Sequence, residues 1–181
     1  MGTWSSRGLR GSTLEDMINM TNEHYRQQKL ALIQKIPTPI TPVEIDQSTR
    51  HITLAYFEKQ STVDYIGAVQ GIPVCFDAKE CAVKTFPIMN IHEHQVKFME
   101  DFEKQGGISF ILLFFSSLNE TYYIPFKDIK FFYERSLNGG RKSFKYNELN
   151  QDYILKSAPG AMIHFLEGIQ KDLSERDLTE N

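Results

Sequence analysis

Residues 61–95 constrain the fold of this chain more than any other stretch, because they combine a hairpin pattern with polar residues on a buried strand. We expect one strand to end with residues 62–65 and a turn at the Gly-Ile-Pro of residues 71–73. A second strand follows over residues 74–79, and a segment ending in His-Glu-His-Gln closes the stretch. The hairpin predicts that the two strands lie side by side.

Polar side chains converge on one face of this hairpin. Successive side chains of a strand point to opposite sides, so Cys75, Asp77 and Lys79 share a face. The spacing from Asp64 to Asp77 is what a hairpin needs to bring two carboxylates together. Buried carboxylates are costly unless they bind something charged, and Mg2+ takes such oxygen ligands. A nearby ammonium can stabilise a developing phosphoryl charge, which predicts a metal-dependent phosphodiesterase.

Composition sets limits on the class of protein. The chain has 181 residues, 41% hydrophobic and 24% charged, which predicts one globular domain. Cys75 and Cys81 give neither a disulfide framework nor a zinc spacing, which favours a reducing, cytoplasmic setting. The longest apolar run, residues 108–115, is too short to span a bilayer, so we expect no membrane partner. The net charge of −3 means that any nucleic-acid contact must use local basic patches.

The first third of the chain predicts an arm, a helix and a protrusion. Residues 1–11 are expected to form a mobile arm, followed by one nuclease domain over residues 12–173. Ser12 and Glu15 have capping-box spacing before a helix over residues 14–28. Residues 30–36 predict a strand. The prolines of residues 37–42 interrupt the sheet, and residues 40–59 predict a two-stranded stalk.

The second half predicts further helices and strands. We expect a helix over residues 93–104 and a strand buried on both faces over residues 108–116. Short strands or strand-helix pieces are expected at residues 120–125 and 129–133, and loops at residues 82–87 and 136–147. The last helix is expected over residues 160–173, before a polar tail of residues 174–181.

Each candidate residue also has a simpler interpretation. An acidic-x-lysine triplet often lies on a solvated strand face, and Lys79 can lie along a strand with its charge in water. The capping box alone explains Glu15. His92 and His94 have no structural zinc spacing, and capping or support of a neighbouring site accounts for them.

The motifs of this chain resemble one protein family. The run STVDYIGAVQGIPVCFDAKE, followed by KTFPI and IHEHQ, resembles the RecU Holliday junction resolvases of Gram-positive bacteria. The opening segment RGSTLEDMINMTNEHYRQQKLALIQKIPTPI and the later RKSFKYNEL are similar to the same family. The resemblance therefore covers nearly the whole chain, with its motifs in the family's order.

The resemblance implies a nuclease of the PD-(D/E)xK superfamily. Its fold class is α/β (α+β), with a restriction-endonuclease-like mixed central sheet flanked by helices and a protruding stalk. Such resolvases are homodimers that use Mg2+, for which Mn2+ can substitute, to nick opposing strands of four-way junction DNA. The stalk inserts at the crossover, and a strand-exchange recombinase is a possible partner.

The resemblance also assigns residues. The positions that match the family's metal site are Thr62, Asp64, Asp77 and Gln95. Lys79 matches the lysine that stabilises the transition state, and Glu15 is placed like a helix glutamate near the site. Together, Asp64, Asp77, Lys79 and Glu15 are the expected catalytic residues.

Two departures from the family keep other functions open. The family usually has Phe-Glu-Ala-Lys where this chain has Asp at position 77, and the stalk carries little positive charge. A second hypothesis is therefore a non-catalytic junction-binding accessory that modulates the recombinase. A third is a restriction-like endonuclease that cuts linear duplex DNA.

Overall fold

The computed structural model describes residues 13–57 and 62–179 of the chain. The α-helices of this part are α1 (Thr13–Gln27), α2 (Glu93–Lys104), α3 (Phe126–Leu137) and α4 (Phe165–Thr179). The bounds of α1 and α2 follow the predicted helices closely. The predicted arm of residues 1–11 and Ser12 of the capping box lie outside the described residues. No helix within 13–57 or 62–179 has the length and apolar character needed to cross a bilayer.

The described residues form ten strands, and six of these make up the central sheet. The strands in chain order are β1 (Ala31–Lys35), β2 (Ile40–Ile45), β3 (Ile52–Phe57), β4 (Tyr65–Val69), β5 (Ile72–Cys81), β6 (Thr85–Pro87), β7 (Ile108–Phe115), β8 (Glu120–Pro125), β9 (Ser143–Lys145) and β10 (Ile154–Leu155). The order in the sheet is β1-β4-β5-β7-β8-β10. Only β5 and β7 pair in parallel within this sheet, and its other neighbours are antiparallel. The predicted mixed central sheet is therefore confirmed.

Helices cover both faces of this sheet, which creates two hydrophobic cores. Residues of α1 and α4, including Leu14, Ile18 and Phe165, pack against one face. Residues of α2 and α3, including Met99 and Ile129, pack against the other. Strand β7 lies between the two cores and is buried over nearly its whole length, as its continuous apolar sequence predicts.

The β4–β5 hairpin carries the predicted acidic residues, but its first strand begins later than expected. Strand β4 starts at Tyr65, so the prediction of a strand ending at residues 62–65 is wrong. The amide of Asp64 donates to the side chain of Asp77 and not to a backbone carbonyl of β5, which explains why the ladder begins after it. Gln70 and Gly71 have φ values of 48° and 91°, as a two-residue hairpin turn requires.

The predicted stalk is a separate two-stranded sheet. Strand β2 pairs with β3 in antiparallel register from Ile40 opposite Phe57 to Ile45 opposite Ile52. The turn holds Asp46, whose Oδ1 accepts hydrogen bonds from the amide and hydroxyl of Ser48. The last stalk residues of the prediction, 58 and 59, lie outside the described residues. The large apolar side chains of β2 and β3 are exposed.

Three predictions for the second half of the chain are wrong. The segment 129–133, expected as a strand or strand-helix piece, lies inside α3. The loops expected at residues 82–87 and 136–147 contain β6 and β9, which pair with each other. The last helix begins at Phe165 and continues through most of the predicted tail to Thr179. Side-chain contacts from distant parts of the chain, described below, support these elements.

Candidate active site

The β4–β5 hairpin brings Asp64 and Asp77 together. Tyr65 pairs with Phe76, so Asp64 and Asp77 occupy the next opposing position, where the β4 ladder has not yet begun. The amide of Asp64 donates to Oδ1 of Asp77 at 3.2 Å, and the amide of Ala78 donates to Oδ2 of Asp64 at 2.9 Å. Each carboxylate therefore binds the backbone of the opposite strand, and the predicted juxtaposition is confirmed.

The environment of this pair favours a cation. Asp77 is 1% exposed, whereas Asp64 is half-buried. Burial, the charge of Asp77 and a hydrogen bond with it together raise the pKa of Asp64 to about 7, and burial is the largest cause. Two carboxylates this close repel each other when both are ionised. A proton or a positive ion must therefore compensate the second charge.

Lys79 and Gln95 complete the contacts of Asp77. The Nζ atom of Lys79 lies 2.5 Å from Oδ2 of Asp77, and the lysine side chain is 19% exposed. The Nε2 atom of Gln95 donates to the same oxygen at 3.0 Å. The Oε1 atom of Gln95 accepts from the amide of His92 at 3.1 Å, which caps the start of α2. The side chain of Gln95 thus links the helix N-terminus to the acidic pair.

Thr62 and Glu15 occupy different surroundings. Thr62 is half-buried two residues before Asp64, where the chain enters β4. Glu15 lies on α1 and accepts from Nζ of Lys35 at 2.9 Å. Among residues 13–57 and 62–179, no three His, Cys, Asp or Glu side chains cluster closely enough to hold a metal ion. Glu15 therefore does not join the two aspartates, and the metal and catalytic roles of these residues remain predictions.

The donor set nevertheless fits a hard divalent cation. Mg2+ is commonly held by one or two carboxylates and keeps waters or substrate phosphates at its other positions. Asp64 and Asp77 supply two such carboxylates, and Lys79 remains half-accessible beside them. The thiol of Cys75 shares this strand face, but burial raises its pKa to about 12, so it stays protonated and is a poor ligand.

Glu80 is a residue near the site that sequence analysis missed. Its Oε1 atom accepts from the amide of Leu14 at 2.9 Å, so the strand that carries Asp77 and Lys79 also caps the start of α1. This contact joins residues 66 apart in the sequence. The only available signal was an acidic residue directly after the Asp-x-Lys triplet, which has too many alternative explanations to predict a cap.

Comparison with known proteins identifies the family. The family model described as "RecU: Recombination protein U" matches residues 9–171. The chain belongs to the RecU family. The RecU match includes the β4–β5 hairpin, the stalk and the start of α2, and agrees with the resemblance found in the sequence motifs.

Curated RecU relatives are similar over most of the chain. The protein from Lactococcus lactis, named Holliday junction resolvase RecU, is 43% identical over 91% of this chain and 78% of its own length. The protein of the same name from Leuconostoc mesenteroides is 40% identical over 92% of this chain and 83% of its own. A third, from Geobacillus, is 42% identical over 80% of this chain and 74% of its own.

A solved structure is more distantly similar. The Holliday junction resolvase Hjc from Archaeoglobus fulgidus matches with a TM-score of 0.36 and 7% identity, covering 62% of this chain and 74% of Hjc. A structural similarity this weak supports no inference about the RecU-family chain.

Proposed function

We propose that this RecU-family chain is a Mg2+-dependent endonuclease that resolves four-way DNA junctions by paired nicks in recombination and repair. The observation that carries the proposal is the convergence of Asp64, Asp77 and Lys79 where β5 continues past the end of its ladder with β4. Family membership and the names of the curated relatives support the same activity.

The proposed roles follow from the contacts of each side chain. Asp64 and Asp77 would hold Mg2+, with Thr62 and Gln95 completing or orienting its surroundings. When bound, the ion supplies a more acidic water and offsets charge on the phosphate. Gln95 keeps the Asp77 carboxylate oriented through the bond to Oδ2. Lys79 places its ammonium where negative charge develops on the phosphoryl oxygens. Mn2+ is expected to substitute for Mg2+.

Paired nicking requires two active sites on one junction, so we propose a homodimer. The stalk of β2 and β3 would project into the crossover and provide selectivity through shape and backbone contacts, not through base readout. We place this activity in the cytoplasm, together with junction DNA and the recombinase. Docking of that recombinase on this chain stays a prediction.

The test compares a labelled four-way junction with linear duplex DNA of matched sequence, in Mg2+ and in EDTA. Symmetric nicks on the junction alone, lost in EDTA, are the expected result. A junction that is retarded in gels but never cut would contradict the proposal and favour the non-catalytic accessory. Equal cutting of the linear duplex would favour the restriction-like enzyme.

Two variants locate the activity at this site. Asp77→Asn should keep junction binding and abolish cleavage, because it removes one carboxylate of the proposed metal site. Lys79→Ala should lower the cleavage rate by about 10²-fold or more at saturating Mg2+. The control is Lys104→Ala, at an exposed position at the end of α2 whose ammonium already pairs with Glu100 and Asp101. Cleavage that persists in Asp77→Asn would show that another site does the chemistry.

A further inference from the structure

Ion pairs already neutralise most of the basic side chains in the described parts of the chain. The whole sequence has 20 Lys and Arg against 23 Asp and Glu, so no general positive field attracts DNA. Because phosphate contacts supply most of the affinity for DNA, the unpaired basic residues matter most. Those with no ion pair to another residue of 13–57 or 62–179 are Lys29, Arg50, Lys84, Lys97, Lys142, Lys145 and Lys156.

Three of these lysines lie in or directly beside the small β6–β9 sheet. Lys145 stands opposite Thr85 in the ladder, and the carbonyl of Lys84 accepts from the amide of Tyr146 at 2.9 Å. At the other end, the carbonyl of Lys142 accepts from the amide of Ile88 at 3.0 Å. Side chains of all three are exposed. We name Lys84, Lys142 and Lys145 the basic platform.

Aromatic packing holds the basic platform in place. Phe86 of β6 and Phe144 of β9 are both buried, and their rings stack with centroids 5.2 Å apart. Phe144 also stacks on Phe132 of α3 at 4.5 Å. The lysine backbones are therefore fixed to the hydrophobic core, so binding would order only the side chains.

The acidic groups beside the platform are already engaged. Glu148 binds Nη1 of Arg135 at 2.7 Å and Nη1 of Arg141 at 3.1 Å. Glu120 accepts from the hydroxyl of Tyr146 at 2.7 Å. A pocket of about 330 Å³ opens at this surface, and it is lined by Lys84, Thr85, Lys145, Tyr146 and Asn147. This surface therefore offers unpaired positive charge to an external anion.

The platform also lies close to the candidate active site along the chain. Lys84 follows Lys79 by five residues, which span at most about 17 Å when extended. The turn between them is fixed, because the thiol of Cys81 donates to the carbonyls of Val83 at 3.0 Å and Thr85 at 3.4 Å. One DNA strand carries a phosphate about every 3.4 Å along the helix axis, so the span of about 17 Å from Lys79 to Lys84 corresponds to about five phosphates.

We propose that the basic platform binds the phosphate backbone of a duplex DNA arm within about half a helical turn of the nicked bond. This inference rests on the proposed function, since it names the surface that holds the substrate beside the same site. The platform contacts are independent of base sequence, and they give the chain a local basic footprint despite its net negative charge.

The experiment measures binding of a four-way junction and of matched linear duplex in EDTA, as a function of salt. The test variant is Lys84→Gln with Lys145→Gln. The matched control is Lys29→Asn with Lys104→Gln, which removes the same charge. Lys29 follows α1 and Lys104 ends α2, at the end of the sheet away from Lys79. Asparagine suits the φ of 57° at Lys29.

The test variant should weaken binding to both DNAs by about tenfold near physiological salt. It should also reduce the slope of log affinity against log salt by about 2, because two phosphate contacts are lost. The control should keep the wild-type slope. A wild-type slope in the test variant, with an unchanged thermal unfolding midpoint, would overturn the inference. Its outcome is separate from that of the proposed function, which is tested by Mg2+-dependent cleavage of the junction and not by binding in EDTA.

Discussion

The amide of Asp64 donates a hydrogen bond to Oδ1 of Asp77 at 3.2 Å. The two acidic residues of the candidate site are therefore held together by the main chain, and they cannot move apart to relieve their repulsion. Because the two carboxylates lie so close, the stability of the folded protein depends on a proton or a metal ion that neutralises one of them.

The first prediction concerns the pH dependence of stability without metal. The pKa of Asp64 is about 7 in the folded state, whereas its ordinary value is 3.8. Between pH 3.8 and pH 7 the folded state therefore binds more protons than the unfolded state. We therefore take the unfolding free energy of the wild type minus that of Asp64→Asn, and we expect this difference to be greatest below pH 4. It should fall by on the order of 2 kcal/mol as the pH rises to 7.

Urea unfolding of both proteins in EDTA, at several pH values, measures this difference. Addition of Mg2+ at pH 7 to 8 should restore part of the lost stability in the wild type and not in Asp64→Asn. A difference between the two proteins that stays constant from pH 4 to 8 would contradict the raised pKa.

The second prediction concerns Gln95, which contacts both Asp77 and the start of α2. Gln95→Ala should lower junction cleavage by about tenfold or more, because groups that orient metal ligands have effects of this size. Its unfolding free energy should fall by about 1–2 kcal/mol, since a helix cap and a buried hydrogen bond are lost. Lys104→Ala in the same helix is the control for both measurements. Wild-type cleavage by Gln95→Ala at limiting Mg2+ would argue against any role of Gln95 in the site.

The third prediction separates recognition from folding in the stalk. Leu54 and Tyr56 are 50% and 57% exposed, so replacing both with serine should change the unfolding free energy by less than about 0.5 kcal/mol. The preference for a four-way junction over linear duplex should fall, because the stalk is proposed to fill the crossover. Leu32→Ser, at a position 65% exposed on β1, tests the effect of lost apolar surface elsewhere. An undiminished junction preference in the stalk variant would exclude this role.

The fourth prediction concerns the attachment of α4. Arg176 bonds to the fully buried Asp172 at 2.9 Å and to Glu103 of α2 at 2.8 Å. Arg176→Met should cost about 2–3 kcal/mol, because it leaves Asp172 with only the hydroxyl of Tyr123 as a compensating donor among the bonds described for it. Arg141→Met breaks an exposed pair and should cost less than about 1 kcal/mol. If both variants lowered the thermal unfolding midpoint by the same amount, burial of the Arg176 network would contribute nothing to stability.

The sequence predicts the parts of the fold that rest on local patterns. Strict alternation in β5 places Asp77 and Lys79 on one face, and the apolar run of β7 indicates burial on both faces. The hairpin spacing of Asp64 and Asp77 likewise needs only local geometry. These features follow from residues within about 20 positions of one another, so no long-range contact has to be known.

Features that depend on distant contacts escape such an analysis. Strand β6 pairs with β9 almost 60 residues later, and neither segment is long enough to show a strand pattern by itself. The link from Glu80 to Leu14 and the tie between Arg176 and Glu103 have the same origin.

The exposed stalk also bears on the risk of aggregation. A hairpin with bare apolar faces and two open edges is a template onto which further strands can add, and such growth ends in aggregates. Pro42 removes one amide donor from β2, and the register shifts between Pro42 and Ile45 distort the same strand. These irregularities make the ribbon a poor template for another copy of itself while its apolar side chains remain exposed.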